Sequence, residues 1–257
     1  MAVLCLMYHH TPSGQPETPW DVPLEDLRAT IDRMLDAGVT FIDLKQARDP
    51  DRLAEGLHVA VTFDDGHRTN AAAFEFLAGR SIRPAAFIVR DWSRDRPEYM
   101  PGSMIAEFAE ICDFGAHGAT HTGMTYLDGR ALEAELSGSR HYLEDILGRT
   151  ADTMALPGGK SNRRVFKAAR NAGYRLVCTS VENINTSASF RINRVCISQV
   201  SGTAAPITYA AASPAFWRRK RLRSAAVSLS TAVLGEAGHG LAASLAKALA
   251  ACATGRI

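Results

Sequence analysis

The chain has 257 residues, 46% hydrophobic, 22% charged and 7% aromatic, which excludes a disordered segment, a coiled coil or a collagen-like repeat and gives apolar material for one large core or two small ones, a length that α/β barrels use as a single domain. Lys and Arg number 29 against 27 Asp and Glu, for a net charge of +2, so bulk charge gives no hold on a polyanion. Nothing else points to nucleic acid: there is no zinc knuckle, aromatic platform or repeat.

Cysteines at 5, 112, 178, 196 and 252 are odd in number, widely spaced and without a CxxC pair, the pattern of reduced, mostly buried thiols rather than a disulfide framework. The N-terminal MAVLCLMYHH carries an apolar run too short for a signal peptide or membrane span and suited to a first buried strand. Together these give a cytoplasmic expectation, with the inner membrane surface as a peripheral location.

The first strand is predicted at Ala2 to Met7, followed by a proline-rich loop from Thr11 to Asp21. Leu27, Ile31, Met34 and Leu35 recur at helical spacing and predict a helix from Leu24 to Ala37, stopped by Gly38. Phe41 to Leu44 reads as a short strand. The run His58 to Phe63 is continuous and β-branched, as for a parallel strand covered on both faces. A helix from about Asn70 to Arg80 and a strand from Pro84 to Val89 follow.

Ser103 to Cys112 reads as a helix and Phe114 to Ala116 as a strand running into His117. Leu132, Leu136, Leu143 and Leu147 mark one face of a long helix whose charged residues are assigned to the opposite face. Thr153 to Leu156 is a strand leading into Pro157-Gly158-Gly159, and Arg163 to Ala172 a helix ended by Gly173. Leu176 to Thr179 and Arg194 to Ile197 read as the last strands. This alternation predicts an α/β fold with parallel strands over residues 1–205, and a basic, Ala-rich helical tail over 206–257.

Polar residues collect at strand ends, where α/β folds place their sites. Asp64-Asp65 follow one strand, His117 and His121 another, and His9-His10 the first. One carboxylate with two imidazoles suffices for a catalytic zinc-type site with open positions. At a strand end one of two adjacent aspartates can hold the metal while the other takes a proton from the attacking water.

The stretch Thr62-Phe63-Asp64-Asp65-Gly66 resembles the first motif of the polysaccharide deacetylase (NodB-homology) family. His117-Gly118-Ala119-Thr120-His121 is similar to its second, and Ala155-Leu156-Pro157-Gly158-Gly159 to its third, an Arg-x-Pro-x-Gly with Ala155 in place of the Arg. The resemblance runs from about residue 1 to about 200. It implies a distorted (β/α)7 barrel and a metal-dependent N-deacetylase in which Asp65, His117 and His121 hold one divalent ion, zinc first, with cobalt, nickel or manganese as alternatives. Asp64 would be the general base, and a backbone N–H of the Pro157, Gly158, Gly159 loop would face the oxyanion.

Two departures stand out. No histidine occurs near Ile192-Asn193-Arg194-Val195, where the family's general-acid motif belongs; Leu6-Met7-Tyr8-His9 resembles a branch with that motif permuted to the N-terminus, making His9 the general-acid candidate and turning His10 away. The Arg that orients the base is absent at Ala155, and Arg194 is its candidate substitute. The expected substrate is an N-acylated amino sugar, as a glycan precursor or a lipid- or nucleotide-linked sugar. The rival readings are hydrolysis of a non-sugar C–N amide bond and a catalytically lapsed carbohydrate-binding barrel. Phe216, Trp217, Arg218, Arg219, Lys220, Arg221 and Arg223 are candidates for peripheral contact with an anionic membrane.

Overall fold

A computed structural model describes residues 1–202, 204–213 and 215–220. Contacts group the chain into two units, Met1–Ser180 with Ile184–Ala211, and Val181–Asn183 with Ala212–Ile257. The first unit is an all-parallel sheet with helices in its crossovers. Its strands are β1 Ala2–Tyr8, β2 Thr40–Phe41, β3 Leu57–Phe63, β4 Ala85–Ile88, β5 Asp113–Ala116, β6 Thr153–Ala155, β7 Leu176–Cys178, β8 Arg191–Ile192 and β9 Val195–Cys196. The helices are α1 Leu24–Asp36, α2 Ala71–Ala78, α3 Arg90–Asp95, α4 Gly102–Phe108, α5 Gly129–Leu147, α6 Arg163–Asn171 and α7 Ala205–Ala210.

Strand order is β8-β7-β6-β5-β4-β3-β1-β9, with β2 beside the first half of β3. Strand β8 pairs with β7, β9 pairs with β1, and only Asn193 and Arg194 separate them. One extended segment thus borders both ends of the sheet and acts as the seventh stave of a curled, distorted (β/α) barrel. Asn185 ties the seam: its backbone exchanges two 2.8 Å bonds with Val3, and its amide reaches Asn193 O at 3.0 Å and accepts from Asn193 N at 2.8 Å.

The long β1–β3 ladder runs in register from Ala2↔Leu57 to Tyr8↔Phe63. Its alternation sends Val3, Cys5 and Ala60 to an inner cluster with Phe87, Ala155 and Cys178. Tyr8 and Phe63 instead stack at 5.6 Å, and Phe63 meets Phe74 of α2 edge-on at 5.2 Å. Both sides of these strands are buried, which is why they read as unbroken apolar runs. Cys5, Cys112 and Cys178 are buried thiols; burial raises all three, Cys178 to about 12. Cys252 lies outside the described residues.

Four elements differ from the expectations. The strand expected at Phe41 to Leu44 is only Thr40–Phe41, because Asp43 and Gln46 form a reciprocal capping box that starts a 3-10 turn at Leu44. Helix α3 and strand β8 were not foreseen: the first is short and polar, the second two residues long. The buried face of α5 is not purely apolar, since it carries Glu135 and Ser139 beside Leu132, Leu136 and Leu143.

Helix α7 straddles the boundary expected at 205/206 and belongs to the first unit. In the second unit Lys220 Nζ pairs with Glu182 at 2.7 Å, and Phe216 meets Trp217 edge-on at 5.3 Å. Arg221 and Arg223 lie outside the described residues. Among the described residues no helix is long and apolar enough to cross a membrane.

Candidate active site

Strand register assembles the site. Because β1 and β3 end level with each other, the residues that follow them emerge side by side, and Asp64 N donates to Tyr8 O at 2.9 Å. Strand β5 continues this logic: His117 N donates to Ile88 O at 2.8 Å, and the Ala116↔Met154 pairing brings the imidazole opposite Ala155. His117 Nδ1 lies 3.0 Å from that residue's carbonyl, which can only accept, so Nδ1–H donates and Nε2 is the ring nitrogen that faces Asp65.

Asp65 Oδ1 lies 3.4 Å from His117 Nε2 and 3.3 Å from His121 Nε2. Ligand atoms of these three residues fall within 4.8 Å of one another. Oδ1 is buried and makes no hydrogen bond, an arrangement that costs free energy unless a cation satisfies it. The donor set and the orphaned oxygen therefore fit a divalent ion, with the Ala155 carbonyl orienting one imidazole from behind. Burial pushes the Asp65 carboxyl up, but the two imidazoles outweigh it and hold it well below the usual carboxylate range. Asp65 and His121 both sit in the left-handed region, at φ 70 and 67, a strain of about 1–3 kcal/mol each that the surroundings must hold.

Asp64 stands next to this cluster, with Oδ2 3.8 Å from His117 Nε2. Arg194 donates to both its carboxylate oxygens, at 2.6 and 2.7 Å, and the arginine is wholly buried. The guanidinium also donates to Thr62 Oγ1 at 3.2 Å and Thr179 O at 3.3 Å and lies 5.2 Å from the Phe87 ring centroid. Burial raises the Asp64 carboxyl, but Arg194, then His117, more than offset this and keep it ionised. The guanidinium comes from the seam between β8 and β9, while Ala155 contributes only a small side chain to the inner cluster.

His9 leaves β1 beside Asp64. Burial lowers its affinity for a proton, while Asp64 and Asp65 act in the opposite sense. Its Nδ1 has no hydrogen-bond partner; the ring packs against Trp20 at 5.1 Å, and its carbonyl accepts from Asn70 Nδ2 at 2.7 Å. His10 turns away, with Nδ1 3.0 Å from Asp21 Oδ1 and its ring 4.3 Å from that of His67. Pro157–Gly159 forms a tight turn in which Gly159 N donates to Leu156 O. Proline has no N–H, so Gly158 supplies the remaining amide of that loop. Gly159 has φ 67 and abuts Ser180 so closely that a Cβ would collide with its backbone.

Three groups were not foreseen. Trp92 of α3 packs against the His121 ring at 4.6 Å, and a polar six-residue helix gives little signal in a sequence. Asn70, wholly buried, joins His9 O to Thr11 Oγ1. Glu135 binds the loop between the two histidines; its spacing of three from Leu132 and four from Ser139 places it on the apolar face.

The polysaccharide deacetylase family model matches residues 54–177. The chain is 28% identical over 158 residues to chitin deacetylase 1 of Cryptococcus neoformans, a match covering 61% of this chain and 32% of that protein. It thus spans about a third of the curated relative. Among solved structures, Streptococcus pyogenes deacetylase PplD in complex with acetate superposes with a TM-score of 0.73 at 19% identity, over 81% of this chain and 97% of that one. IcaB from Ammonifex degensii gives 0.72 at 21% identity, over 82% and 97%. These likenesses bear out the barrel expected from the resemblance. His9 and Arg194 both lie outside the matched residues 54–177.

Proposed function

We propose that this chain, whose residues 54–177 match the polysaccharide deacetylase family model, is a metal-dependent hydrolase that removes the acyl group from an N-acylated amino sugar. The observation that supports this most is the meeting of Asp65, His117 and His121 beside an aspartate gripped by a buried arginine. Asp65, His117 and His121 would hold the ion, zinc first, with cobalt, nickel or manganese also suited to the donor set. The chemistry such an ion supplies when bound is Lewis acidity toward the acyl carbonyl and toward water.

The remaining work falls to the chain. Asp64, kept ionised by Arg194, accepts a proton from the attacking water. The Gly158 N–H donates to the acyl oxygen as negative charge builds there. His9 protonates the nitrogen of the leaving amine; an imidazole whose proton affinity burial has lowered releases its proton readily. One water is consumed, and a carboxylic acid and an amine are formed. The Leu6-Met7-Tyr8-His9 stretch thereby plays the part expected of a general-acid motif permuted to the N-terminus.

The relative named chitin deacetylase makes N-acetylglucosamine oligomers the first substrates to try. The test is elemental analysis of purified wild type and His121→Ala, together with acetate release from these oligomers with and without chelator. The reading expects close to one divalent ion per chain in wild type, a clear loss in the variant, and release that stops with chelator and resumes with zinc or cobalt. Wild type without metal after incubation with these ions, or release indifferent to chelator, overturns it.

A further inference from the structure

The loop from His117 to His121 must hold two imidazoles on one point while its backbone passes through the left-handed region at Gly118, φ 79, and at His121, φ 67. Five backbone and side-chain bonds secure it from two sides. On one side Arg90 N and Asp91 N, the first amides of α3, donate to Gly118 O at 3.2 Å and Ala119 O at 2.9 Å. The loop's own donors are met from α5.

That second anchor is one carboxylate. Glu135 Oε2 accepts from Ala119 N at 2.6 Å and Thr120 N at 3.1 Å, and Oε1 accepts from Thr120 Oγ1 at 2.6 Å. Glu135 is 7% exposed, although glutamate is rarely buried without a partner. A carboxylate held by consecutive amides and a hydroxyl forms an anion nest whose bonds are charge-assisted. A Cβ at Gly118 would stand 2.9 Å from Glu135 Oε2, so carboxylate and loop are fitted closely.

We propose that Glu135 is a positioning residue for the metal site: its buried carboxylate fixes the Gly118–Thr120 backbone and so aims His117 and His121 at the point where Asp65 Oδ1 waits. It touches neither ion nor substrate. The proposal rests on the metal-binding reading above. Its consequence is specific: loss of the carboxylate weakens metal binding rather than the chemistry of the loaded site.

Glu135→Gln is the variant of choice, because it keeps the shape but turns one acceptor into a donor facing other donors. Zinc affinity of the full chain is measured by competition with a chromophoric chelator, beside thermal melts in excess chelator. Glu135→Gln is expected to bind zinc about 10–100-fold more weakly, the range for loss of a group that orients a ligand, with acetate release recovering as zinc is raised. Glu133→Gln, at an exposed position of the same helix, is expected to match wild type.

A folded Glu135→Gln with wild-type affinity overturns the inference, as does lost activity that saturating zinc fails to restore. Should Glu135→Gln not fold, Thr120→Val removes one of the three bonds and is read in its place: weaker zinc binding supports the assignment and unchanged binding overturns it. Wild type that binds no zinc removes the metal reading itself, an outcome distinct from wild type and variant binding equally well.

Discussion

Arg194→Met deletes one half of a buried charge pair and leaves the other half in place. The arginine side chain is 0% exposed and that of Asp64 4%, so the small values of surface ion pairs, below about 1 kcal/mol, do not apply. Breaking a buried pair from one side costs about 3–5 kcal/mol, because the orphaned charge keeps its desolvation penalty. The bonds to Thr62 Oγ1 and Thr179 O are lost as well, which places the expected loss toward the upper end. At about 2–4 °C per kcal/mol for a domain of this size, melting falls by on the order of 10 °C.

Asp64→Leu orphans the guanidinium instead and is expected to cost a similar amount. The double variant Asp64→Leu/Arg194→Met replaces the pair by apolar groups and is expected to lose far less than the two single losses added together. Urea unfolding of all four proteins in excess chelator measures this without any contribution from metal binding. Additive losses, or an Arg194→Met protein within about 1 kcal/mol of wild type, would refute the reasoning.

Two other predictions concern the loop after β1. Asp21 accepts from Glu17 N, Thr18 N, Thr18 Oγ1 and His10 Nδ1; burial pushes its carboxyl up, but the Thr18 and Glu17 bonds outweigh this and lower it. A lowered folded value adds stability that is present above the ordinary carboxylate range near 4 and is lost as pH falls through the folded value. Asp21→Asn is therefore expected to lower the urea midpoint most near neutrality, with the gap to wild type closing in acid; a gap that widens in acid contradicts the assignment. His9→Ala is expected to lower kcat by about 10²–10⁴-fold while zinc content stays at the wild-type level, and a variant as fast as wild type removes His9 from the reaction.

What the sequence disclosed depended on the length and chemistry of each signal. Strands β1 and β3 are seven residues each, buried on both faces, and read directly as apolar runs. The polar residues after them stood out because they interrupt such runs. Strand β8 has two residues and its pairing is set by β7, not by its own composition. The 3-10 turn after Asp43 was legible as a capping box, Asp43 with Gln46, but the apolar run Phe41 to Leu44 drew the reading toward a strand. Glu135 escaped because charged residues of an amphipathic helix are assigned to water by default. Its neighbours on the buried face, Ser139 among them, were the available sign that this face meets a polar partner.

Arg194 joins the fold to the chemistry more tightly than its place in the sequence suggests. It stands in the two-residue gap where the chain leaves β7's edge and joins that of β1. Its backbone is fixed there from both sides: Ile192 O accepts from Thr179 N at 2.9 Å, Ile197 N donates to Met7 O at 2.8 Å, and Asn185 clasps Asn193. A side chain leaving this point enters the barrel, where Asp64 is the carboxylate within reach. Closing the ring and holding the aspartate ionised thus depend on the same residues. An arginine at position 155 would approach from β6 instead, independently of the seam. A guanidinium carried on the seam makes the Asp64 carboxylate depend on the contacts that hold Asn193 and Arg194 in place, those of Asn185 among them.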